Sequence, residues 1–288
     1  MDKEEIIVDG KKFCLVKRSR RGEVFVYTSG KFYARVGESP VIEKMLVLHK
    51  KFDEFGFPVP AITGQGEIAA GAYYLEESLG EKRFSELFRD DMEKYGSIST
   101  GLFETFLRIS EKFARAQLRS AAEEPNSLSL TDIVRPRDLA EELPEFGERI
   151  LKRYNEALSA LKVFPLVLTQ GDFNPHNLFP TGVIDFEKIY YAPAGYDLVT
   201  NIFHINWFPE SRDYEYYRGY SFTPKQQKLY YKRLDTLYMD ARLPKLSEYQ
   251  QHFEYCRAIW STARNQFAPK LQHWRYELFK RQYMGKSL

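Results

Sequence analysis

The stretch Gln170-Gly171-Asp172-Phe173-Asn174-Pro175-His176-Asn177, followed at a short interval by Val183-Ile184-Asp185-Phe186-Glu187, decides how this sequence is read. A short apolar run, Leu166-Val167-Leu168, leads into the first segment. Between the two segments, Leu178-Phe179 and Val183-Ile184 flank Pro180-Thr181-Gly182, the signature of a tight hairpin. A loop with Asp172 and, five residues on, Asn177 can present both side chains inward from one turn. Asp185 ends a hairpin strand eight residues beyond Asn177 and can reach the same place. Such a set of hard oxygen donors suits phosphoryl transfer, which needs a carboxylate near the acceptor hydroxyl and ligands for magnesium on a polyphosphate.

Upstream, Lys12–Lys17, Val24–Tyr27 and Lys31–Val36 read as strands joined by turns at Ser19-Arg20-Arg21-Gly22 and Thr28-Ser29-Gly30. Pro40 opens a helix to about Phe55, with Ile42, Met45, Leu46, His49 and Phe52 near one face. Gly56-Phe57-Pro58-Val59-Pro60 ends it, and strand-like runs follow near Ala61-Ile62 and at Ala72–Leu75. Glu76–Gly80 reads as a connector. From residue 84 the period is helical, with Leu102, Phe103, Phe106, Ile109, Phe113 and Ala116 marking one amphipathic helix. Arg135–Lys152 is helical with a break near Pro144, and the chain from Tyr196 onward reads as aromatic-rich helices.

The paired segments resemble the catalytic loop, Asp-x-x-x-x-Asn, and the Ile-Asp-Phe metal-binding strand end of the aminoglycoside phosphotransferase and choline kinase superfamily, a branch of the protein-kinase-like fold. Pro193-Ala194-Gly195-Tyr196-Asp197-Leu198 also matches that family. The resemblance implies an α+β, bilobal protein-kinase-like fold. A small N-terminal antiparallel-sheet lobe, residues 1–79, binds nucleotide, and a larger, mainly helical lobe, 80–288, carries catalysis and the acceptor site. It implies that Asp172 is the base or orienter for an acceptor hydroxyl, that Asn177 and Asp185 are metal ligands, and that Asp197 ties the catalytic loop down. Arg35 stands where the family has a basic residue on the third strand, facing the nucleotide phosphates, and Glu43 on the next helix is expected to hold it. Ser19, Arg20 and Gly22 are expected to cover the triphosphate, and Glu76 and Ser78 to belong to the hinge that meets adenine. The implied cosubstrate is ATP with Mg²⁺.

Three positions depart from the family. Gln170 and Gln117 replace common histidines, and Glu187 follows Asp185-Phe186 where protein kinases have glycine. His176 is expected to be a loop residue and His204 a packing residue. Two acceptor classes stay open. The aromatics Trp207, Trp260 and Trp274 suit a quaternary ammonium, as in choline and ethanolamine kinases. The carboxylates Glu210, Asp213, Glu215, Asp235, Asp240, Glu248 and Glu254 suit polycationic aminoglycosides. A non-catalytic nucleotide-binding scaffold is the third reading. About ten residues separate Asp185 from Tyr196, too few for an elaborate activation loop, which disfavours protein substrates.

Bulk properties agree. The 288 residues carry a net charge of +2, which gives no electrostatic case for nucleic acid or an acidic membrane surface. Cys14 and Cys256 sit in unlike contexts, which fits a reducing compartment rather than a disulfide framework. The charged start Met1–Glu5 lacks an apolar signal core and no run approaches a membrane span, so a cytoplasmic protein with a small-molecule hydroxyl acceptor is expected.

Overall fold

The computed structural model describes residues 4–19, 22–122, 128–186, 190–263 and 268–285. The N-terminal part is a six-stranded antiparallel sheet built from β1 (Glu5–Val8), β2 (Lys11–Arg18), β3 (Val24–Thr28), β4 (Phe32–Gly37), β5 (Ile62–Ile68) and β6 (Gly71–Glu77). The spatial order is β1-β2-β3-β4-β6-β5. β1 lies outside the sequence reading, although Asp9-Gly10 marks it. Both residues have positive φ, +48° and +73°, as a two-residue hairpin turn requires. β1 alternates, with Ile6 and Val8 buried and Ile7 exposed.

Helix α1 (Ser39–Glu54) connects β4 to β5 and packs on β4 and β6. Pro40 sits in its first turn and Ile42, Leu48 and Phe52 face inward. The sheet has its own apolar cluster around Phe13, Tyr27, Ala34 and Val36. Leu48 and Phe52 instead join the core of the second part, so α1 is packed into both halves of the molecule.

Residues 78–83 connect β6 to the helical part: α2 (Phe84–Tyr95), α3 (Thr100–Arg119), α4 (Leu130–Val134), α5 (Pro136–Glu142), α6 (Gly147–Ala160), α7 (Tyr196–Phe203), α8 (Pro224–Asp240), α9 (Gln250–Ala263) and α10 (Pro269–Tyr283). Pro144 begins a 3-10 turn between α5 and α6, the break its missing N–H demands. Two strands, β7 (Leu166–Thr169) and β8 (Tyr190–Pro193), form an antiparallel pair among the helices. β8 is an addition to the sequence reading. The Gln170–Asn177 loop leaves the end of β7, and the Leu178–Val183 hairpin returns the chain to Asp185, so β7 and the hairpin position the site. The bilobal, kinase-like α+β class expected from the sequence is the one observed. Among the described residues no helix is long and apolar enough to cross a membrane.

Candidate active site

The loop after β7 is fixed from three sides. Gly171 adopts φ +84°, a conformation that costs a side-chain-bearing residue more than glycine. Phe173 turns inward and stacks on Phe113 of α3, with ring centroids 3.8 Å apart. Asp197, in the first turn of α7 and fully buried, accepts from the backbone N–H groups of Gln170 (2.8 Å) and Gly171 (3.0 Å) and from Gln117 Nε2 (3.0 Å). Gln117 Nε2 also donates to the Leu168 carbonyl at 3.2 Å, so this residue is a buried tie between α3, β7 and the loop. Burial raises the Asp197 carboxyl to about 7, while the N–H groups of Gln170 and Gly171 and the nearby Arg257 act in the opposite direction.

Within the loop, Asn174 Nδ2 donates to the Asp172 carbonyl at 2.7 Å and to Asp172 Oδ1 at 2.9 Å. Asn177 Nδ2 donates to the same carbonyl at 3.0 Å, which leaves its amide oxygen as the group to offer elsewhere. Asp172 itself is about a third exposed, its side chain retaining 37% of its accessible surface.

The second segment is bound to the first. The Ile184 N–H donates to the Asn177 carbonyl at 3.0 Å, closing the hairpin over Pro180-Thr181-Gly182. Gln170 Nε2 donates to the carbonyls of Ile184 (3.2 Å) and Asp185 (3.0 Å), and Gln170 Oε1 accepts the Asp172 N–H at 2.7 Å. Asp185 has φ +72°, in the left-handed region that non-glycine residues rarely adopt and that clusters at functional sites. Phe186 packs on Phe52 of α1 at 4.1 Å, which anchors this segment to the N-terminal part.

Arg35 lies on β4 in register with Tyr74 of β6, while Tyr33 is in register with Glu76. Arg35 and Glu76 are therefore diagonal neighbours on one face of the sheet. They form an ion pair, with Nη2 and Nε both 2.9 Å from Glu76 Oε1. Asp185 lies close enough to add to the stabilisation of the Arg35 charge. The expectation that Glu43 holds Arg35 is corrected here. Ile42 takes the inward direction of α1, the next residue is turned by about 100°, and Glu43 is exposed. Glu76, expected only as part of the hinge, is the carboxylate that pairs with Arg35.

Ser19 closes the β2–β3 turn by accepting the Val24 N–H on its hydroxyl at 3.1 Å, and Gly22, at φ +70°, donates to the Ser19 carbonyl at 2.9 Å. Arg20 and Glu187 lie outside the described residues. In the connector, the Ser78 N–H donates to the Lys31 carbonyl at 2.9 Å and its hydroxyl to Gly80 at 3.3 Å. Between the sheet and the loop is a cleft of about 270 Å³, lined among others by Tyr33, Arg83, Glu86, Arg89, His176 and Phe179. Tyr33 from β4 and Phe179 from beyond Asn177 offer aromatic surfaces from the two halves, and the lining also holds two arginines, Arg83 and Arg89, and two glutamates, Glu81 and Glu86. His176 is a loop residue, as expected. Burial, with Arg89 and Arg83 nearby, lowers it to about 4 and keeps it neutral.

The sequence reading missed Arg257. It lies on α9, is fully enclosed, and donates from Nη2 to Asp172 Oδ1 at 2.8 Å. The same Nη2 is 2.8 Å from His204 Nδ1, so His204 is a hydrogen-bonding partner and not packing alone. The available signal was an arginine inside the apolar run Cys256-Arg257-Ala258-Ile259-Trp260, where a buried charge needs a partner.

A model of the phosphotransferase enzyme family matches residues 20–230, well over half of the sequence. The chain belongs to this family. This phosphotransferase also has similar solved structures, at identities that speak for the fold alone. A glucosamine kinase in complex with glucosamine, ADP and inorganic phosphate aligns at 14% identity and TM-score 0.56, covering 98% of this chain and 81% of that one. An aminoglycoside phosphotransferase of Streptomyces rimosus, in complex with ADP and streptomycin, aligns at 12% identity and TM-score 0.51, covering 82% and 90%. A Ralstonia eutropha protein described as an aminoglycoside phosphotransferase by resemblance aligns at 13% identity and TM-score 0.51, covering 96% and 92%. No curated protein sequence matches this phosphotransferase.

Proposed function

We propose that this phosphotransferase moves the γ-phosphoryl group of ATP to an alcohol hydroxyl of a small molecule, with Asp172 facing the acceptor. One observation carries the reading. The Gln170 side chain binds the Asp172 N–H and the Asp185 carbonyl at once, so the two carboxylate-bearing segments are tied to each other at a fixed spacing. The acceptor oxygen forms a bond to the γ-phosphorus, the bond from phosphorus to the β,γ-bridging oxygen breaks, and ADP leaves. The hydroxyl proton passes toward the Asp172 carboxylate as its oxygen gains positive character.

The donor set fits magnesium. Among the described residues no group of three or more His, Cys, Asp or Glu side chains is arranged to hold a metal alone. Magnesium keeps waters and takes one or two protein oxygens with substrate phosphates, and Asn177 Oδ1 and the Asp185 carboxylate are such oxygens. Bound there with ATP, it would neutralise charge on the transferring group. Arg35, held by Glu76, faces the same nucleotide phosphates in this reading, the turn that Ser19 and Gly22 close overhangs them, and the Tyr33 and Phe179 rings take the base.

The acceptor we favour is polar and polyhydroxylated, an amino sugar or aminoglycoside. A choline-type acceptor would need open aromatic faces. Trp207 is fully buried, and the Trp260 ring carries the Arg257 guanidinium at 3.5 Å from its centroid. ADP formation should be screened against aminoglycosides, amino sugars, sugars, choline, ethanolamine and other amino alcohols. Turnover with a hydroxylated amine of the sugar class supports the reading, and turnover with choline alone overturns the acceptor assignment. ADP formation with no acceptor in the panel would leave a nucleotide hydrolase, against the proposal.

A further inference from the structure

The guanidinium of Arg257 has an uneven set of partners. Nη2 serves both Asp172 Oδ1 and His204 Nδ1, at 2.8 Å each. Among the described residues, Nε and Nη1 make no hydrogen bond of ordinary geometry and are shut away from solvent, with the buried Tyr196 hydroxyl as their polar neighbour. One face lies on the Trp260 ring. Burying a guanidinium with idle donors costs stability, and apolar residues of similar size commonly serve a core as well or better. Apolar packing alone therefore gives no reason for an arginine here. Asp172 does.

A guanidinium remains protonated and can only donate, so His204 Nδ1 must accept. The imidazole is then neutral, with its proton on Nε2. Burial first, then the charge of Arg257, pushes the His204 pKa well below its ordinary value, in keeping with that state. Asp197, Arg275 and the Tyr196 hydroxyl also interact with Arg257, while Asp172 meets it from a partly exposed loop.

The consequence falls on the two oxygens of Asp172. Oδ1 is engaged by Arg257 Nη2 at 2.8 Å and by Asn174 Nδ2 at 2.9 Å. With Oδ1 held from two directions, the rotamer is set and Oδ2 remains for an incoming group. We propose that Arg257, seated on His204 and Trp260, is a positioning residue that fixes this rotamer and reserves Oδ2 for the acceptor hydroxyl. The proposal rests on Asp172 being the acceptor-facing carboxylate.

The test uses the full chain, MgATP and the acceptor turned over fastest in the panel, with R257M, R257K, H204F, H204N and D172N. A near-attack geometry disturbed by an ångström or so costs about 100-fold, so R257M and H204F should lower kcat by about 10- to 100-fold. KM for MgATP should stay within about twofold, because neither residue is in the nucleotide cleft. R257K keeps the charge but loses the planar face seated on Trp260 and the reach of Nη2, and should fall between. H204N should recover most of the H204F loss, since an amide oxygen can replace Nδ1 as acceptor. In a D172N background R257M should cause little further loss. Should R257M fail to fold, the H204F and H204N pair carries the same comparison. Wild-type kcat in R257M or H204F overturns the positioning role, as do parallel losses in kcat, KM and melting temperature that H204N does not relieve. D172N active at the wild-type rate would instead remove the reading of Asp172 itself.

Discussion

The Gln170 side-chain amide donates to the Asp185 carbonyl at 3.0 Å while its oxygen accepts the Asp172 N–H at 2.7 Å, so one uncharged side chain sets the spacing of the two carboxylate segments. An amide offers a donor and an acceptor at once without titrating. Q170A would leave the Asp172 N–H and the Asp185 carbonyl without this partner. A hydrogen bond lost at this half-buried place costs about 0.5–1.5 kcal/mol, and Q170A should lose stability on that scale in chemical denaturation. Its kcat should fall by about 10- to 100-fold as the two segments drift. Q170H supplies one ring donor and one acceptor, and should recover part of both losses.

Glu76 and Glu43 make a paired prediction. The Arg35–Glu76 ion pair is largely buried, with side chains retaining 20% and 6% of their surface, while Glu43 is exposed on α1. E76Q keeps an oxygen for Arg35 but removes the counter-charge, which should cost about 1–3 kcal/mol and free the guanidinium to move. The KM for MgATP should rise by about tenfold. E43Q should change stability by less than about 0.5 kcal/mol, as exposed surface substitutions do. Equal effects from the two variants would return Glu43 to the role the sequence suggested.

His204 sets a pH dependence. Its folded pKa lies well below 6.5 because burial, Arg257, His176 and Arg275 all disfavour the charged ring. As pH falls below about 6.5 the unfolded chain takes up a proton there and the folded chain does not, so stability from this group is present above that pH and lost below it. The slope approaches about 1.4 kcal/mol per pH unit for one proton. H204N should remove it. The difference in unfolding free energy between wild type and H204N should therefore shift against wild type as pH drops from 7 to about 5, and a difference that stays constant would contradict a neutral, Arg257-bound His204.

Much of the fold was legible because its signals are local. The β-branched and aromatic run Val24–Tyr27, the turn at Thr28-Ser29-Gly30 and the helical period through Phe103, Phe106 and Phe113 each need only a few neighbouring residues, and the corresponding elements are present. β1 escaped although Asp9-Gly10 announced it. β8 is four residues long, and nothing short of its pairing with β7 distinguishes it from a loop. The site divides the same way. Asp172, Asn177 and Asp185 are readable because one hairpin gathers them within a few turns of chain. The partner of Arg35 depended on the register between β4 and β6, which sequence leaves open until the strands pair. Arg257 was out of reach because 85 residues separate it from Asp172, and only the packing of α9 brings them together.

The most direct measurement follows the labelled γ-phosphoryl group of ATP in wild type and D172N, with the best acceptor of the panel, with and without Mg²⁺. Wild type should place the label on an alcohol oxygen of the acceptor in a Mg²⁺-dependent reaction, and D172N should be slower by about 10²- to 10⁴-fold. Label transferred by D172N at the wild-type rate, or released by wild type only as inorganic phosphate, would contradict the account.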